Sequence, residues 1–144
     1  MGSATLLVID DEPAITKLVS RAAESCGYEV FATSDPAAFK ERFRSEPPDL
    51  ICLDVVMPDI DGIELIRFLA DEQCRSKLLI MSGSGPQLLH AAFSLAEALG
   101  LDVAGTLPKP LRIAAFKTIL GDLARRPPPR NAKGPRFRRD TLAR

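Results

Sequence analysis

Leu6-Leu7-Val8-Ile9-Asp10-Asp11 sets the fold: four apolar residues run straight into two acids. A short, unbroken apolar run is the mark of a strand buried on both faces, as in a parallel sheet. Helical spacing takes over next, with Ile15, Leu18, Val19, Ala22 and Ala23 on one stripe and Gly27 as the stop. The same alternation then repeats. Tyr28 to Ala32 reads as a strand, and Asp35-Pro36 opens a helix towards Arg44, with proline in the first turn. Leu50 to Leu53 is a third strand, followed by helical spacing at Ile63, Leu65, Ile66 and Leu69. Leu78 to Met81 is a fourth. The stretch from Pro86 to Leu99 is helical, with Leu88, Leu89, Ala92, Leu95, Ala96 and Leu99 on one side. Val103 to Leu107 is a fifth, weaker strand, and Ile113 to Leu123 the last helix.

Five strands alternating with five helices imply right-handed βαβ units. The predicted fold is an α/β three-layer sandwich around a five-stranded parallel sheet. In open sheets of this kind ligands bind beyond the carboxyl ends of the strands. The polar residues gather there. Strand one ends in Asp10-Asp11, strand three in Asp54, strand four in Ser82, and strand five runs out at Lys109-Pro110. Three carboxylates in one crevice repel each other, and a cation among them relieves that. Mg²⁺ suits the position, because it takes one or two carboxylates together with waters and phosphate oxygens. Lys109 supplies a point charge for a carboxylate or phosphate, and Ser82 a hydroxyl donor. The set fits phosphoryl transfer to a carboxylate, which yields an acyl phosphate.

VIDDEP (8–13), ICLDVVMPDIDG (51–62), MSGS (81–84) and LPKP (107–110) together resemble the receiver domain of two-component response regulators, over residues 1–124. The order, spacing and strand-end placement of these motifs make the resemblance specific. It implies a flavodoxin-like sheet of order 2-1-3-4-5. It also implies Asp54 as phosphoacceptor, and Mg²⁺ held by Asp11 and Asp54, by Asp10 mostly through water, and by the backbone carbonyl of Val56. Ser82 stands at the hydroxyl position that meets the phosphoryl group. Lys109 pairs with the carboxylate and then with the phosphoryl, ahead of a cis peptide bond to Pro110. The implied donor is a histidine kinase or a histidine phosphotransfer protein. The output would be an interaction surface for a downstream protein, and no external substrate would be turned over.

The sequence also departs from the family's pattern. Thr106 takes the switch position where the family often carries Tyr or Phe. The Ser82–Lys109 stretch is longer than usual, mostly between Pro86 and Gly100, so an atypical output surface is expected. The 86–107 region is the expected face of any homodimer. Val56, two residues past the acceptor, cannot orient a water by hydrogen bonding.

The net charge of zero conceals two halves. Residues 1–124 carry 11 Lys/Arg against 18 Asp/Glu, a net of −7, whereas 125–144 carry 8 Lys/Arg against one Asp, a net of +7. Three prolines at 127–129 open that basic tail, which reads as a linker or disordered segment. Phe137 is its sole aromatic residue and no DNA-binding helix is visible, so nucleic acid is not expected as a partner. No apolar run approaches the roughly 20 residues of a membrane span, and a start without a basic segment before its apolar run is not expected to be a secretory signal, so a cytoplasmic location is expected. Three cysteines in no zinc spacing read as free thiols, and His90, in a helical stretch, as a surface or packing residue.

Competing readings remain distinct. An aspartate-nucleophile phosphatase would need an acid where Val56 stands. A pseudo-receiver scaffold would not need Asp10, Asp11, Asp54 and Lys109 all in place. A receiver fragment of a longer regulator would lack its output domain.

Overall fold

A computed structural model describes residues 4–125. Met1–Ser3 and the basic tail beyond Arg125, with the expectations for it, lie outside the described residues. The elements run β1 (Ala4–Ile9), α1 (Pro13–Ser25), β2 (Tyr28–Thr33), α2 (Pro36–Ser45), β3 (Leu50–Asp54), β4 (Val56–Met57), β5 (Ile60–Asp61), α3 (Gly62–Asp71), β6 (Lys77–Ser82), α4 (Pro86–Ala98), β7 (Asp102–Pro108) and α5 (Ile113–Arg125). The main sheet is parallel throughout, in the order β2-β1-β3-β6-β7. Counting only its five strands, that is 2-1-3-4-5, the flavodoxin-like order. The predicted strands and helices are all present, with ends displaced by one or two residues.

The central strands explain why their sequence runs are apolar without alternation. In β3, Leu50 and Cys52 enter one core, while Ile51 and Leu53 enter the other. Successive side chains point to opposite faces, so a strand covered on both sides needs an apolar residue at every position. One face is closed by α1 and α5, with Val19, Ala22, Phe116 and Leu120 buried against Leu6 and Val8. The other is closed by α2, α3 and α4, with Phe39, Phe43, Leu65, Ile66, Leu69 and Ala92 packed on Leu7 and Ile9. Two residues of the predicted helical stripes, Leu18 and Leu99, are exposed instead. Leu99 caps the end of α4 rather than lying within it.

Helix starts reflect local chemistry. Asp35 accepts a hydrogen bond from the Ala37 amide at 3.2 Å and Asp61 from the Ile63 amide at 2.9 Å, so both are N-caps. Helix α1 begins differently. Its N-cap is Glu12, with no side-chain cap bond, so neither Asp10 nor Asp11 is used as its N-cap.

One element goes beyond the sequence reading. Val56–Met57 pairs antiparallel with Ile60–Asp61 in a two-residue ladder. Strand β7 also carries an irregularity. Leu78 pairs with Val103 but Leu79 with Gly105, leaving Ala104 as the extra residue.

Candidate functional site

The site forms where β1, β3, β6 and β7 end together. Asp10 comes directly after β1 and is fully buried. Its amide donates to the Thr33 carbonyl at 3.2 Å, which ties the strand end to β2. Its Oδ1 accepts from the Glu12 amide at 3.0 Å. Asp54 is the last residue of β3 and is also fully buried. Its Oδ1 accepts from the Val56 amide at 3.0 Å. Each acid therefore uses one carboxylate oxygen to shape its own turn, and the other is left to face the crevice.

Lys109 lies just beyond β7 and reaches into that space. Its Nζ lies 2.7 Å from Asp10 Oδ2, 2.9 Å from Asp54 Oδ2 and 3.0 Å from Glu12 Oε1. The contacts to Asp54 and Glu12 are hydrogen bonds. That to Asp10 is an ion pair and the shortest of the three. The Lys109 amide donates to the Ser82 carbonyl at 2.9 Å, and the Lys109–Pro110 peptide bond is cis. Ser82 is buried at the end of β6, and its Oγ accepts from the Ser84 amide at 3.2 Å.

Burial sets the electrostatics. Desolvation raises the Asp10 carboxyl above the ordinary carboxylate range, and the neighbouring Asp54 adds to it. The Lys109 ammonium and the Glu12 amide pull it part of the way back. For Lys109, burial alone would depress its pKa, but the contacts to Asp10, Asp54 and Glu12 outweigh it, so the pKa is raised and the ammonium is held charged. One ammonium does not balance the acids around it. Oxygens of Asp10, Asp11 and Asp54 all lie within 4.8 Å of one another, with Asp11 only half-buried. An all-oxygen set of three acids sharing one ammonium, with Asp11 only half-buried, fits a hard dication of the Mg²⁺ class.

Two contributors lay inside quoted motifs without being singled out. Glu12 is a partner of Lys109; its only signal was its place directly after Asp10-Asp11. Gly62 starts α3, and a Cβ there would sit 2.4 Å from the Val55 Cα. Only glycine lets the helix start come this close to the turn after Asp54. Val55 is also tied back to β6 by its amide, which donates to the Met81 carbonyl at 3.0 Å. Val56 comes next, in β4.

Thr106 does not reach the acids by any hydrogen bond. It lines an apolar groove of about 370 Å³ between β7 and α4, with Pro86, Leu89, His90 and Phe93. His90 is exposed there, away from the crevice. Among the described residues, no helix is long and apolar enough to cross a membrane.

The family profile described as "Response regulator receiver domain" matches residues 6–120. The chain belongs to that family. Among curated relatives, the response regulator MprA of Mycobacterium bovis is 30% identical over 133 residues, covering 90% of this chain and 54% of that protein. The alkaline phosphatase synthesis transcriptional regulatory protein PhoP of Bacillus subtilis is 36% identical over 77 residues, or 54% of this chain and 32% of that one. Among solved structures, a response regulator from Colwellia psychrerythraea superposes with a TM-score of 0.76 at 32% identity, covering 85% of this chain and 98% of that one. The chain spans between about a quarter and about half the length of the curated relatives it matches first. The transcriptional role in such names belongs to those longer proteins.

Proposed function

We propose that this receiver domain takes up a phosphoryl group on Asp54 and uses the change in charge to alter a protein-interaction surface. The observation that carries the reading is the Asp54 carboxylate, buried yet aimed at the Lys109 ammonium 2.9 Å away, with Asp10 and Asp11 beside it. In the proposed step Asp54 Oδ2 attacks phosphorus, an O–P bond forms, and the P–N bond of a donor phosphohistidine breaks. The departing imidazole nitrogen takes a proton. The donor is a histidine kinase or histidine phosphotransfer protein, which places the reaction in the cytoplasm.

Asp10, Asp11, Asp54 and the Val56 carbonyl would hold Mg²⁺, which when bound offsets charge on the phosphoryl oxygens. Lys109 keeps the nucleophile oriented and then pairs with the phosphoryl group. Ser82, whose Oγ accepts from Ser84, still has its hydroxyl proton to donate to a phosphoryl oxygen. Donors aimed at equatorial oxygens are the main catalytic demand in this chemistry. Receiver domains generally signal rather than turn over substrate, and no external turnover is proposed here. Downstream, the 86–107 face, where Thr106 borders the groove, is proposed as the surface read by a protein target or a second copy.

Intact-mass spectrometry after treatment with acetyl phosphate and Mg²⁺ tests the reading. One added phosphoryl group is expected, absent in Asp54→Asn and absent when Mg²⁺ is chelated. Labelling that survives Asp54→Asn would place the acceptor elsewhere. No labelling of the unaltered protein would leave the pseudo-receiver reading.

A further inference from the structure

The end of the sheet opposite the crevice holds a second concavity, of about 490 Å³. Its walls come from strand starts and helix finishes. Tyr28, Glu29, Val30 and Phe31 belong to β2, Glu24 to the last turn of α1, and Glu46 to the cap of α2. The three glutamates are exposed. Arg42 is the nearby cation, and it is already engaged: it pairs with Glu46 at 3.1 Å and lies 4.9 Å over the Phe31 ring. Among the described residues, the side chains of Glu24 and Glu29 have neither an ion pair nor a hydrogen bond. The concavity therefore combines apolar walls with unneutralised negative charge.

Helix α5 delivers the chain to this same end. Helices of βαβ units run back against the strands, and α5 lies beside α1 on one face. Leu123, near its finish, belongs to the same core as Ala22, Ala23 and Tyr28. Beyond Arg125 the sequence continues as RPPPRNAKGPRFRRDTLAR, 19 residues with seven Lys/Arg and one Asp. The ten residues between Arg125 and Arg136 can span at most about 35 Å, enough to reach any part of this end of the domain. Within it, Arg136-Phe137-Arg138-Arg139 sets an aromatic side chain among three guanidinium groups.

We propose that Arg136–Arg139 docks in this concavity, with Phe137 against Val30, on the face that α5 shares with α1, and the arginines on Glu24, Glu29 and Glu46 around the edge of β2. Guanidinium groups are weakly hydrated and bind carboxylates in pairs of hydrogen bonds, so arginine suits a half-exposed acidic rim. Docking there would also cover the start of β2, an edge strand with one unpaired side. The proposal does not depend on Asp54 chemistry.

The test uses the full chain, ¹⁵N-labelled, in four forms: unaltered, Phe137→Ala, Glu29→Lys and the double variant. With Phe137→Ala, the amide signals of Glu24, Val30, Phe31 and Glu46 are expected to shift. Raising salt in the unaltered protein should move them the same way, because screening weakens exposed charge contacts. In Glu29→Lys, adding Phe137→Ala should then change little. Four outcomes overturn the proposal: unmoved pocket signals; shifts at Asp11 or Asp59 instead; shifts that grow with protein concentration, which mark a second copy; or a tail that binds a DNA oligonucleotide equally well in all four forms.

Discussion

Asp49 and Asp10 are the same residue type, almost equally buried, at opposite ends of the sheet, and their surroundings give them opposite uses. Asp49 is clasped. Its Oδ2 accepts from the Thr5 amide at 2.9 Å and from the Thr5 hydroxyl at 3.3 Å, and its own amide donates to the Thr5 carbonyl at 3.0 Å. That carboxylate fastens the start of β1 to the approach to β3. Asp10 shares its burial, but its second oxygen has only an ammonium that it shares with Asp54 and Glu12, and another acid stands at its side. A buried carboxylate is a fastener where amides and hydroxyls satisfy it. Where they stop short, it keeps an affinity for a cation.

The largest effect that would sharpen this contrast is at Lys109. Lys109→Ala should slow labelling by acetyl phosphate by about two orders of magnitude or more, the scale of losing one charged donor at a developing oxyanion. Rates from intact mass at fixed Mg²⁺ measure it. Gly62→Ala comes next. A Cβ forced to within 2.4 Å of the Val55 backbone must displace it, with a stability loss of about 3 kcal/mol expected in urea unfolding. Asp49→Ala should cost about 2 kcal/mol, since it strips partners from Thr5. Its labelling rate should stay at the unaltered level, and a slowed rate would break the division between the two ends.

Asp10→Asn should have the smallest effect and the opposite sign. In chelated buffer it should raise stability by about 1 kcal/mol, because it removes a buried charge that faces Asp54. The raised carboxyl pKa of Asp10 fixes the pH dependence. Above that pKa, the native state of the unaltered protein bears the cost of the charge. Below the ordinary carboxylate range Asp10 is protonated in both native and unfolded states, so the advantage of Asn should vanish there. Melting temperatures across that pH range check the sign.

Much of this was legible in the sequence because burial on both faces leaves a simple mark. Leu6–Ile9 and Leu50–Leu53 are continuous apolar runs, and the acids stand directly at their ends. Other features left no such mark. The β4–β5 ladder is two residues on each side, too short for a period of two to appear. The role of Gly62 depends on Val55, which is adjacent in space only after the chain turns back. Leu18 and Leu99 fit their helical stripes in spacing, yet face solvent, since periodicity locates a stripe but not the width of the surface covering it. Taken by themselves, two acids ahead of a helical stretch would suit an N-cap too, but α1 takes Glu12 at that position.

The crevice, finally, has one fixed jaw and one yielding jaw. On the Asp54 side, Val55 is bonded to β6, wedged by Gly62 and continued by the small ladder, so the backbone has little room to move. On the Ser82 side, Gly83 and Gly85 flank Ser84, Gly85 sits at φ 98°, and α4 begins without a side-chain cap. An anion arriving between the jaws would meet an anvil on one side and a latch on the other, so displacement would run towards α4 and the groove beside Thr106.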